Sequence, residues 1–184
     1  LLTTEDPEEA RAIAAQLSAL NEERRAIEAA VQEAAEAQVD AQHNRVVLTL
    51  AGRGWHPGVI GIVAGRIKEK TGKPALVIAL DADEQGHGKG SGRSIPGVDL
   101  GAEIIAAREH GLLVAGGGHA MAAGLTIQPD KLEAFRSRLN EIARRTLNRE
   151  DLQPPLRLDA EVNLGDLSLD SLAELDQLKP MGQG

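Results

Sequence analysis

Three glycine-rich stretches hold the side chains best suited to chemistry. "GKGSGRS" (88–94) alternates glycine with Lys89, Ser91 and Arg93 and ends on Ser94. Without Cβ atoms in the way, backbone N–H groups can approach a ligand. The four side chains are donors of the kinds that hold phosphate oxygens, and arginine adds two-pronged geometry. The stretch is no P-loop, because the GK[ST] ending is absent. It reads equally as a glycine-rich strand with solvated basic residues. "GRGWHPGVIG" (52–61) sets His56 and Pro57 just ahead of a helix start. A helix N-terminus attracts anions, and His56 beside it could donate to a phosphate. The alternative is that Trp55 packs in the core and His56 merely precedes the helix. "GGGHAMAAG" (116–124) puts His119 after Gly116, Gly117 and Gly118 and before small residues. A lone histidine is more often structural than catalytic. The convergence of three such turns, each with a His, Arg or Lys, points to a phosphate.

Hydrolysis is less well provided for. The five histidines show no HxxxH or HxH spacing, and the Asp81/Asp83 pair follows a strand, where it can simply cap a turn. No metal site and no Ser/His/Asp set is expected within the chain. Aromatic residues make up 1% of the sequence, too few for a base-stacking platform. Nucleic acid would therefore be held through its phosphates, with little reading of bases.

The elements that must position these residues follow from pattern. "DPEEARAIAAQL" begins a helix with Asp6 as cap, Pro7 at the first position and Glu9 closing a capping box. Ile13, Leu17, Leu20, Ile27 and Val31 continue a narrow apolar stripe, which predicts a long helix to about Val39. Strands are predicted at 45–51 and 73–81, with a helix between them begun by Pro57 and ended by Gly72. That order implies a parallel or mixed sheet with a right-handed crossover. The "GHGKGSGRS" stretch (86–94) could be an extended edge or central strand. A helix over 99–111 is capped by Asp99 and closed by Gly111, and 112–128 reads as strand, loop, strand. An amphipathic helix with a basic face covers 130–147. After "QPP" (153–155), a strand in 156–164 and a short helix follow.

The 184 residues carry a net charge of −8, but unevenly. Residues 1–44 have 3 basic against 10 acidic groups, residues 45–150 have 15 against 11, and residues 151–184 have 2 against 7. The acidity lies in the flanks, and the glycine motifs lie on a mildly basic block able to accept an anion. The absence of cysteine excludes disulfides and thiolate metal sites. No apolar run approaches the length of a membrane span; the cytoplasm is the expected compartment. The opening without Met and the close on "KPMGQG" suggest a piece of a longer protein.

"GWHPGVIGIVAGRIKEKTGKPALVIAL", "GKGSGRSIPGVDL" and "GGGHAMAAGLTI" together, in this order, resemble the C-terminal DHH-associated domain of the RecJ family, bacterial single-stranded-DNA-specific exonucleases of the DHH phosphoesterase superfamily. The resemblance covers about residues 45–150. It implies an α/β fold, a mixed sheet flanked by helices. Residues 1–44 resemble the family's long connector helix, and 151–184 a linker and the truncated beginning of an OB-like domain. It further implies the nucleic-acid-binding part of a metal-dependent 5′→3′ exonuclease in DNA recombination and repair, cytoplasmic and monomeric, whose partner is single-stranded DNA with a 5′ phosphate. In that picture Ser91 and Arg93 hold the 5′ phosphate, with Ser94 beside them. Lys89 and His56 contact the strand, Gly116–Gly118 line the cleft, and His119 reaches the scissile phosphate as the catalytic residue. The Mn²⁺ or Mg²⁺ ions belong to a DHH domain whose Asp/His motifs this sequence lacks, so the chain alone is expected to be inactive. Two alternatives remain at this point. One is the associated domain of an oligoribonuclease or cyclic-dinucleotide phosphodiesterase of the same superfamily. The other is a non-enzymatic RNA-binding or dimerising module like the C-terminal domain of alanyl-tRNA synthetases.

Overall fold

The structure, a computed structural model, describes residues 3–146, 158 and 161–179. The chain divides into two compact units, Leu1–Gln153 and Pro154–Gly184.

The first unit opens with helix α1 (Pro7–Glu36), for which Asp6 accepts a bond from the Glu8 N–H. Glu9 does not close the expected capping box, because the Thr4 hydroxyl donates to its carboxylate instead. The helix ends three residues before Val39, at Glu36, and a single 3₁₀ turn (Asp40–Gln42) leads on to strand β1 (Leu48–Arg53). Only Glu28, Val31 and Ala35 of α1 are buried, while Leu17 and Leu20 remain exposed. Helix α2 (Ile60–Thr71) starts three residues after Pro57 and stops at Gly72, which takes the left-handed conformation (φ 66°) that a residue with a Cβ resists. Strands β2 (Ala75–Leu80) and β3 (Gly88–Arg93), helix α3 (Leu100–Glu109), strands β4 (Ala115–His119) and β5 (Ala122–Ile127) and helix α4 (Leu132–Thr146) complete the unit. Asp99 caps α3 by accepting from the Ala102 N–H.

The strands form one mixed sheet in the order β1-β2-β3-β5-β4. β1 and β2 are parallel, as a helical crossover requires, and the remaining pairs are antiparallel. Side chains alternate between faces along each strand. Ala75, Val77 and Ala79 of β2 join α1 and α2, and Leu76 and Ile78 join α3 and α4 around Phe135. The "GGGH" stretch, expected as a loop, is strand β4 itself. The loop proper is Ala120–Met121 alone.

β1 is an outer strand, and its free edge is closed by side chains. Gln38 both donates to Ala51 O and accepts from Ala51 N; Gln42 does the same at Thr49. Asn140 of α4, which is buried, accepts from Val46 and Val47 N–H and donates to Val47 O. The basic face of α4 serves the same end, with Arg136 donating to Thr49 O and Arg144 to Asn44 O. Open edges invite pairing with other chains. Replacing Gln38 and Gln42 together by alanine is therefore expected to cost about 2 kcal/mol. The double variant should also raise the aggregated fraction; urea unfolding and light scattering read the two effects.

In the second unit, Ser168 and Ser171 form a reciprocal cap for helix α5 (Leu169–Asp176) after a 3₁₀ turn, Leu164–Asp166. The strand expected within 156–164 falls partly outside the described residues, and 161–163 carry none.

Candidate nucleic-acid interface

Register brings the chemistry to one face of the sheet. On β3 the glycines and the polar residues alternate, so Lys89, Ser91 and Arg93 share a face. A Cβ on Gly88, Gly90 or Gly92 would lie within 3.0 Å of Ile78, Leu125 or Leu100 side-chain atoms, respectively. The bare side of this strand therefore admits the core of the α3/α4 layer, rather than opening the backbone to a ligand as its sequence suggested. Arg93 pairs with Ala122 of β5, and Ala122 pairs with His119 of β4. Directly paired residues point the same way, so His119 stands in one row with Arg93, two strands away.

Helix α2 lies over β2 and β3, while α3 packs on β4 and β5 from the opposite face. The β4/β5 half of the α2 face is thus left open. There a cleft of about 490 Å³ forms, bordered by Gly58 and Gly61 at the start of α2 and by Lys89, Ser91, Gly124 and Thr126. No side chain caps the first turn of α2, so its unpaired N–H groups and the positive end of its dipole are left to a ligand. Gly61 allows the close approach. A Cβ there would meet Ser91 Oγ at 3.1 Å and Arg93 Nη2 at 3.2 Å. Both donors are thereby seated against the helix start. Arg93 Nη1 donates to Gly92 O (2.9 Å) and to Ser91 Oγ (3.2 Å), which fixes the guanidinium along the strand.

His119 is exposed, and its Nδ1 accepts from the Met121 N–H at 3.3 Å. That bond leaves the proton on Nε2, a donor. Its backbone is clamped. Leu100 N donates to Ala120 O, Ser94 N donates to Met121 O, and Gly101 of α3 sits directly on the His119 main chain. Near the other end of β3, Lys89 Nζ donates to Thr126 Oγ1 (3.0 Å) and lies 3.8 Å from Asp83 Oδ2. Burial acts to raise the Asp83 carboxyl. The His87 N–H and ring bonds and the His87 and Lys89 charges outweigh it and hold the group below the usual carboxylate range.

Of the expected residues Lys89, Ser91 and Gly116 border the cleft itself; Arg93 lies beside it against Gly61, and His119 stands on the same face of the sheet outside its lining. Ser94 is buried just beyond the end of β3, and its hydroxyl donates to Val98 O at 2.9 Å. It fastens a turn and has no donor left for phosphate. His56 borders a different crevice, with Leu20, Arg24 and Ile27 of α1, and its Nδ1 accepts from the Gly58 N–H. Trp55 lies over Gly52 and packs on the α1/α2 core. Of the three β4 glycines, a Cβ on Gly116 or Gly118 would point toward α3 or the β4–β5 turn and only Gly117 shares the face of His119, but only Gly116 borders the cleft. Gly61, Gly124 and Thr126 were missed from sequence. The period-two run of small residues in "AAGLTI" carried the signal for the last two.

Comparison with known proteins matches residues 42–145 to the DHHA1 domain model. The single-stranded-DNA-specific exonuclease RecJ of Bacillus subtilis is 38% identical over 99% of this chain and 23% of its own length. The protein of that name from Dickeya dadantii is 37% identical over 100% of this chain and 33% of its own. The chain thus spans 23% to 33% of the length of these relatives. Among solved structures, RecJ from Thermus thermophilus in complex with Mn²⁺ superposes with a TM-score of 0.77 at 32% identity, covering 97% of this chain and 26% of that one.

Proposed function

The chain belongs to the DHHA1 domain family, and from that membership and the cleft we propose that it is the strand-gripping part of a metal-dependent, single-stranded-DNA-specific 5′→3′ exonuclease. The whole enzyme acts in recombination and repair in the cytoplasm. The observation that carries the reading is the file of Lys89, Ser91 and Arg93 along β3 beside the uncapped start of α2, with His119 on the same face two strands across from Arg93. Ser91, Arg93 and the α2 N–H groups hold a terminal 5′ phosphate, Lys89 takes a phosphate further along, and His119 donates from Nε2 to the phosphate under attack. The relatives' name supports the substrate, and the Mn²⁺ in the solved relative supports the cofactor. Among the described residues no three His, Asp or Glu side chains gather where an ion could sit. The described residues therefore do not fit the metal. Nor is any described helix long and apolar enough to cross a membrane.

The reading is tested at Arg93. Charge-assisted bonds to phosphate contribute about 1.5–3 kcal/mol, so Arg93→Ala should weaken binding of 5′-phosphorylated oligo-dT by at least about tenfold. The same variant should flatten the dependence of log K on log salt by about 0.7, the share of one phosphate contact. Binding of the 5′-hydroxyl strand should change far less. Fluorescence anisotropy on the two strands reads this directly, and an equal loss on both would overturn the assignment of the 5′ phosphate to Arg93.

A further inference from the structure

Asp83 lies outside the cleft, yet its carboxylate is held still. Oδ1 accepts from the Gln85 N–H (3.1 Å) and the His87 N–H (2.8 Å), and Oδ2 lies 3.2 Å from His87 Nδ1. The same Oδ2 lies 3.8 Å from the ammonium of Lys89, which borders the cleft and is also bonded to Thr126 on the neighbouring strand. Lys89 is thus the cation of β3 that already faces a fixed counter-charge. Arg93, four residues along β3, donates to Ser91 Oγ and Gly92 O, neither of them charged. The two cations are separated by about 13 Å of strand.

From this asymmetry we infer that Asp83 is an affinity-limiting residue: it holds part of the Lys89 charge back from a polyanion, so the cleft grips firmly at the Arg93 end and loosely at the Lys89 end. The inference rests on the nucleic-acid reading above for its biological sense. A strand that must advance after each cleavage needs one firm hold on its terminus and weaker holds behind it. The device differs from a turn cap in its chemistry, because a cap needs only the acceptor oxygens of Asp83 and the limiter needs its charge.

Asp83→Asn separates the two roles. Asparagine keeps an acceptor for the Gln85 and His87 N–H groups and removes the charge. The variant should bind 5′-phosphorylated oligo-dT about fivefold more tightly and steepen the salt slope by about 0.7, as for one added phosphate contact. Lys89→Ala should weaken binding and flatten the slope by a like amount. Adding Asp83→Asn to Lys89→Ala should then change nothing, because the effect acts through the ammonium. Unchanged or weaker binding by Asp83→Asn overturns the inference. So does an equal gain in the Lys89→Ala background, which would mark a general field effect. Inorganic tripolyphosphate, titrated in parallel, separates this from the nucleic-acid reading. If the wild-type chain ignores DNA but binds tripolyphosphate, and Asp83→Asn strengthens that binding, the limiter stands and the DNA reading falls. If neither anion binds either protein, both fall.

Discussion

Gly124→Val is expected to leave the fold intact and to weaken binding of 5′-phosphorylated single-stranded DNA by about a hundredfold or more, some 2.7 kcal/mol. The prediction follows from a glycine that folding does not require. Its φ is not among the positive ones, and the nearest atom to a Cβ placed on it is Gly90 O, at an ordinary 3.9 Å. In a strand valine is preferred over glycine, so stability should hold or rise. Yet Gly124 borders the cleft between Ser91 on one side and Gly117 on the other, and its side chain must point where they do. An isopropyl group there stands on the floor over which the phosphate approaches. Gly116→Val makes the control, because it pairs with the next residue of β5 and faces the other way. Its Cβ would lie 2.6 Å from Ile104 Cγ2 and 3.2 Å from Gly124 O. That variant should lose thermal stability, and lose binding only as a consequence. Circular dichroism melts beside anisotropy titrations distinguish the two outcomes, and tight binding by Gly124→Val would remove the cleft from the proposed function.

Local chemistry was legible in the sequence; the choice of face was not. Gly72 as a left-handed helix end, Asp99 as a cap and the parallel β1–α2–β2 unit all follow from residues near one another in the chain. β4 did not, because three successive glycines have little strand preference of their own. Pairing with β5, and Ile104 filling the space beside Gly116, make it a strand; tertiary context outweighs propensity there. The alternation in "GKGSGRS" was visible, but its cause was inverted, since the glycines make room for Leu125 and Leu100 while Lys89 and Ser91 border the cleft. Ser91 and Ser94 look equivalent in a string of letters. The strand ends between them, and only Ser91 stays on the open face. His56 is near the cleft in sequence and on another crevice in space, because the turn before α2 carries it toward α1.

A second large effect is expected at Gly101, which carries no chemistry at all. It is buried in the first turn of α3, and a Cβ there would come within 2.9 Å of the N, Cα and C atoms of His119. Backbone cannot rotate aside as a side chain can, so the helix or the strand must move. Gly101→Val should therefore cost about 3 kcal/mol, a fall in melting temperature of roughly 10 °C for a unit of this size. The consequence for function is larger than the lost stability suggests. Leu100 N, one residue earlier, holds Ala120 O, and Ser94 N holds Met121 O, so the 119–122 turn is located by α3 on one side and by the end of β3 on the other. Displacing α3 shifts His119 against Arg93, which both pair with Ala122 and which the proposed function has meet one phosphate chain together. At a temperature where Gly101→Val is still folded, it should retain the preference for a 5′ phosphate that the proposed function assigns to Arg93 and α2. In the whole enzyme it should lose turnover by a larger factor than it loses affinity, because His119 alone has moved. Equal losses in affinity and turnover would show that α3 locates the whole cleft and not the histidine within it.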